Sequence, residues 1–195
     1  MYGLFHEARR IKMPMNELVN VTNSSMYPSS SFLTVDKLIQ EIDHSVGWAS
    51  LNQLFEYIEI SFTEFRIKIE GYSLNAPSHD DETIRNWNVT CYNGNSFVVI
   101  DSRVNDKTLC PDQQPDTFYL KNDKKYFDLG RSYICDKIRL IGTGPNVSGH
   151  YYLSLSGIEF FGSIFRGKEE SKKCPQIYLK FQLTQLIPFV SILLE

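Results

Sequence analysis

The chain has 195 residues, 42% of them hydrophobic and 22% charged, with a net charge of -3, which suits one domain with a sizeable core. Its basic residues are scattered or sit beside acids, as in Lys121 to Lys125 and Arg166 to Glu170, so the basic footprint of a nucleic-acid binder or of a polybasic membrane anchor is missing. An aromatic share of 13%, without long helical periodicity, points to strands rather than helices.

The N-terminus, Met1 to Arg10, carries charges and no apolar stretch of signal-peptide length, so the expectation is a cytoplasmic protein. Two patterns are read accordingly. Four N-x-S/T triplets start at Asn20, Asn23, Asn88 and Asn146, and a cytoplasmic chain would not be glycosylated there. Cys91, Cys110, Cys135 and Cys174 show no C-x-x-C spacing and no local histidine, and are expected to be reduced.

In chain order, Val35 to Asp43 has room for a helical turn or two. Phe55 to Phe62 alternates Ile58, Ile60 and Phe62 against Tyr57, Glu59 and Ser61, the period of a half-buried strand. Phe65 to Leu74 is a second strand whose apolar phase flips at Gly71, where a bulge is expected. Trp87, Val89 and Cys91 alternate up to Asn93-Gly94, and Phe97 to Asp101 follows; an Asn-Gly between two such runs signals a hairpin. Phe118 and Leu120 mark a short strand, Tyr133 to Ile141 a longer one, and Tyr151 to Phe161 the last, with a phase slip at Gly157. The apolar pattern closes at Gly162. Short strands separated by Gly, Pro, Asn and Ser loops, without crossover helices, describe an all-β sandwich or jelly roll of about eight antiparallel strands. The expected domain spans residues 1–165. Residues 166–195 form a partly apolar extension interrupted by Lys180, Gln182, Gln185 and Pro188, read as packing on the sandwich or a partner rather than spanning a bilayer.

Several segments, in this order, resemble the discoidin (coagulation factor 5/8 type C) family of galactose-binding-like jelly rolls. They are Val19 to Ser25, Gly47-Trp-Ala-Ser-Leu-Asn52, Glu56 to Phe62, Trp87 to Gly94, Asp136 to Asn146 and Leu153 to Gly162. Ser61 replaces an acidic residue of the family's central strand, and the paired cysteines of secreted members are absent. The resemblance therefore implies an intracellular branch, of the kind attached to BTB or ankyrin-repeat modules. In such domains, loops at one end of the sandwich form the contact surface. The matching loops offer Met26, Tyr27, Asn52, His79, Asn146, His150 and Tyr151 as ligand-binding residues. Trp48 and Trp87 fall at core-facing positions and are read as packing rather than as sugar platforms.

Catalytic chemistry finds no support in the pattern. There is no G-x-S-x-G or H-E-x-x-H, and His6, His44, His79 and His150 are isolated, so no metal or other cofactor is expected. Asp80-Asp81-Glu82 reads as a solvated loop rather than a calcium site, and Gly142 to Asn146 as a turn rather than a phosphate cradle. The expected function is non-catalytic recognition of a protein partner, of the ubiquitin-ligase or scaffold kind, with a lectin-like carbohydrate-binding module as the alternative.

Overall fold

Alternating apolar residues commit the middle of the chain to strands, and their inward faces close on one another. The structure is a computed structural model that describes residues 3–28, 34–40, 47–76, 82–109 and 124–166. Two short helices, α1 (Leu4–Arg10) and α2 (Met15–Leu18), precede β1 (Val19–Asn23) and a 3-10 turn at Val35–Ile39. Then come β2 (Trp48–Ala49), β3 (Tyr57–Phe62), β4 (Phe65–Asn75), β5 (Trp87–Tyr92), β6 (Phe97–Arg103), β7 (Lys124–Cys135), β8 (Lys137–Gly142), β9 (Ser154–Leu155) and β10 (Gly157–Arg166). A five-stranded sheet runs β1-β3-β8-β5-β6, a three-stranded sheet β10-β4-β7, and β2 pairs with β9. All pairings are antiparallel.

The sandwich interior is where the two sheets meet. Ile58, Ile60, Val89, Ile138 and Leu140 face Tyr72, Leu74, Ile158 and Phe160 across it, and each is buried. Fully burying one large aliphatic side chain stabilises by about 1.5–3 kcal/mol, so this layer is the main source of cohesion. Both tryptophans are completely buried, as the pattern implies. Trp87 packs edge-on against Phe127, on which Tyr72 also stacks.

Two of the three register shifts among the described strands fall at a glycine, and the third, between Val89 and Thr90 in the β5–β6 pairing, does not. The β4–β7 register shifts between Ile69 and Gly71, as expected. A second shift, between Phe161 and Gly162, puts Gly162 at φ 143°, where a Cβ would lie 2.0 Å from the Lys68 carbonyl oxygen. Only glycine fits that approach. The slip at Gly157 is instead a change of partner: β9 pairs with β2, and β10 pairs with β4.

Other expectations need correction. Cys91 and Cys135 are not reduced but joined in a disulfide, with Cα atoms 5.3 Å apart. Each sits inside a strand of a different sheet, and facing positions in a closed sandwich satisfy the distance a disulfide requires. The single strand expected over Tyr133 to Ile141 is two strands in different sheets, because the chain crosses between them at Asp136. Asp136 is fixed there by Arg66, by a bond from its N–H to Tyr92 O, and by Phe62 N–H donating to its carbonyl. Phe55 lies outside β3, which begins at Tyr57.

At the far end, β10 continues past Gly162 to Arg166, with Ile164 buried in the core. The helices at the N-terminus were not legible from periodicity. They are held by packing, with Phe5 against Phe160, and by the buried Glu159 carboxylate, which accepts hydrogen bonds from Phe5 N and His6 N at 2.7 and 2.9 Å. The Phe118–Leu120 strand, Cys110, Cys174 and residues 167–195 lie outside the described residues. Among the described residues, no helix is long and apolar enough to cross a membrane.

Candidate functional site

Antiparallel pairing brings the end of β1, the start of β3, the end of β8 and the start of β5 to one edge of the sandwich. The loops that leave these strand ends are therefore neighbours. Two serines anchor the loop after β1: Ser24 Oγ accepts from Tyr57 N and donates to the Glu56 carboxylate, and Ser25 Oγ accepts from Leu51 N. Tyr27 N donates to Ala49 O at 2.9 Å. Short hydroxyl side chains that replace backbone partners are what such a loop needs to hold one conformation. Held in this way, Met26 and Tyr27 stay at the surface, with 47% and 38% exposure.

The loop before β9 is built around Asn146. Asn146 N donates to His150 O at 2.7 Å, and Asn146 Oδ1 accepts from His150 N and Ser148 Oγ. This closes a tight loop and sets the His150 ring beside Ser148, with Nδ1 3.1 Å from the hydroxyl. Asn52 Oδ1 then accepts from Tyr151 N at 2.7 Å, joining this loop to the one after β2.

These ties assemble an aromatic row. The Tyr152 ring lies edge-on to Tyr27, centroids 5.8 Å apart, and edge-on to His150 at 5.6 Å. Tyr151 and Asn52 lie exposed beside it. Of the expected residues, Met26, Tyr27, Asn52, His150 and Tyr151 are therefore on the surface of one loop cluster. Asn146 is in the same cluster but buried, with only 5% exposure, and holds the loop together. His79 lies outside the described residues.

Two residues were missed. Tyr152, half-buried between Tyr27 and His150, is the centre of the row. Phe55 is 62% exposed with φ 66°, a conformation that bulky residues adopt only under constraint. Its N–H donates to Gly142 O at 3.1 Å, which anchors its backbone beside the end of β8.

The row carries tyrosine and imidazole rings, an amide and hydroxyls, and none of its members is a permanently charged side chain. Ring faces and hydroxyl-bonding tips of this kind suit a neutral ligand with both apolar faces and hydroxyls. Among the described residues, no group of three or more His, Cys, Asp or Glu could hold a metal.

Comparison with protein-family models and with curated proteins yields no match. Solved structures do match in fold. The CBM32-5 module from Clostridium perfringens, in complex with GalNAc-β-1,3-galactose, superposes with a TM-score of 0.56 at 14% identity, over 74% of this chain and 95% of that one. The family 32 module of C. perfringens NanJ, in complex with galactose, gives 0.55 at 11% identity over 75% and 95%. Chitosan-binding module 2 from the chitosanase/glucanase of Paenibacillus sp. IK-5, in complex with chitotriose, gives 0.54 at 15% identity over 73% and 95%. The chain therefore has a β-sandwich fold similar to that of these carbohydrate-binding modules.

Proposed function

We propose that this chain is a non-catalytic carbohydrate-recognition module that binds a neutral glycan at the loop end. The observation that carries the proposal is the Tyr27–Tyr152–His150 row, held open at one end of a fold whose structural neighbours were captured with sugars. A pyranose has one apolar face and a rim of hydroxyls, so it can rest on a tyrosine ring while imidazole and amide groups meet its rim. A protein partner was the first expectation from the sequence. It ranks second here, because the loop surface shows a compact polar and aromatic row, and the structural neighbours hold glycans.

The test is a glycan array probed with the whole protein and with Tyr27→Ala. The array should show binding concentrated in neutral galactose- or N-acetylhexosamine-containing glycans. Tyr27→Ala should lose about 1–2 kcal/mol of binding with an unchanged melting temperature, since a loop-tip ring contributes more to recognition than to the core. A blank array, or one read equally by Tyr27→Ala, would contradict the reading and return the protein partner to first place.

A further inference from the structure

We propose that Asn20 carries an N-linked glycan and that the chain matures in an oxidising, glycosylating compartment. Two independent observations lead here, and neither depends on what the loop end binds. The first is the Cys91–Cys135 disulfide, which bridges the two sheets inside the sandwich. Structural disulfides between buried cysteines persist in oxidising compartments and are rare in the cytosol of ordinary organisms. The cytoplasmic expectation rested on the absence of an apolar leader; the bridge points the opposite way and reopens the four acceptor triplets.

The second observation is that the fold ranks those triplets. In the triplet Asn20-Val21-Thr22, both Asn20 and Thr22 are exposed. They lie on β1, the terminal strand of the five-stranded sheet, paired with Ser61 and Glu59 on its outward face. Asn23 is half-buried, and its Nδ2 donates to Ser25 O at 2.6 Å. Asn88 is on the inner strand β5, and its triplet's Thr90 is buried with its hydroxyl turned to Arg139 O. Asn146 is buried, and the Nδ2 atom that would bear a sugar is itself enclosed. Of the four, Asn20 alone combines an exposed asparagine, an exposed threonine and a place on the terminal strand of its sheet.

The chemistry is ordinary for such a site. Asn20 Nδ2 forms a bond to the anomeric carbon of an oligosaccharide carried on a polyprenyl diphosphate. The bond from that carbon to the diphosphate breaks, the lipid diphosphate leaves, and the amide gives up one proton. For the bridge, the Cys91 and Cys135 thiols together lose two electrons and two protons to the disulfide of an oxidoreductase, which becomes a dithiol. A glycan at Asn20 stands three strand residues, about 10 Å, from the start of the loop site. It leaves that site open while shielding a strand edge that would otherwise invite pairing with another chain.

The experiment uses the full chain isolated from the cells that make it, beside a Thr22→Ala variant expressed in the same cells. Both are digested under non-reducing conditions after treatment with a peptide amidase in heavy-oxygen water. The expected result is Asn20 recovered as labelled aspartate, Asn146 as unlabelled asparagine, and the Cys91 and Cys135 peptides linked. The wild type should also migrate one glycan heavier than Thr22→Ala, with equal melting temperatures. Asn20 recovered unlabelled would overturn the glycan, whatever the state of the cysteines. Free Cys91 and Cys135 thiols would overturn the compartment, and label at Asn146 would overturn the ranking by burial.

Discussion

Trp87 donates its indole N–H to Tyr72 Oη at 3.0 Å, and Tyr72 in turn donates to Asp101. Burial, reinforced by the Asp101 carboxylate, pushes the Tyr72 hydroxyl well above the usual tyrosine range, so it stays protonated and keeps its place in this chain of donors. Replacing Trp87 with Ala would empty a core site and strand Tyr72's acceptor. Chemical denaturation should show a loss of about 3–5 kcal/mol, and a loss under 1 kcal/mol would contradict this placement. On the outer face of the five-stranded sheet, Arg139 lies over both Tyr57 and Phe97 at 4.3 and 4.2 Å and pairs with Glu59, as does Lys137. Burial alone would raise the Glu59 carboxyl, but hydrogen bonds from Arg139 and Lys137 outweigh it and hold the group below its ordinary value of 4.5. Its ionised form therefore stabilises the fold above that value, and the contribution is lost as pH falls through the lowered one. Glu59→Gln should cost about 1 kcal/mol at neutral pH, with the gap closing in acid; a gap independent of pH would show that charge is not its source. The tryptophans were legible through the family resemblance, in whose pattern both fall at core-facing positions. Tyr152 was not: it is one of two adjacent tyrosines, and which of them meets Tyr27 and His150 is settled by the folded loop rather than by order in the sequence.

At the scale of elements, β7 and β8 show what patterning conveys and what it omits. Ile134, Ile138 and Leu140 share one phase across Tyr133 to Ile141, with Asp136 the polar residue in it, so the span reads as one strand. The break at Asp136 exists because two sheets meet there, and that is a property of packing rather than of any local run. The same gap hid the bridge: Cys91 and Cys135 are 44 residues apart, and they become neighbours only once β5 and β7 belong to facing sheets. Closing a span of that length should stabilise the fold by about 2–4 kcal/mol. The double variant Cys91→Ala, Cys135→Ala should therefore unfold at lower denaturant, and thiol reagents should fail to label either cysteine in the unreduced protein. Full labelling of both without a reductant would show that the bridge does not form. The helices α1 and α2 escaped notice because seven and four residues are too few for a periodic signal; Glu159 and Phe160 fix the first from the other end of the chain.

Over the whole molecule, the disulfide and the candidate loop site lie toward opposite ends of the sandwich. The bridge ties the sheets near the Tyr92 end of β5, and the loops after β1, β2 and β8 gather at the Trp87 end. The fold was readable because ordered strand motifs carry it. The site was readable only as a set of loops, since which side chains meet depends on ties such as Asn52 to Tyr151 and Asn146 to His150. The proposed ligand of this end is a neutral sugar resting on the Tyr27–Tyr152–His150 row. Calorimetric titration of galactose and N-acetylgalactosamine into the protein and into Tyr152→Ala tests it most directly. Saturable one-to-one binding to the wild type is expected, with at least a tenfold loss, about 1.4 kcal/mol, in a Tyr152→Ala protein that still melts cooperatively. Equal affinities in the two proteins, or no heat from either sugar, would contradict it.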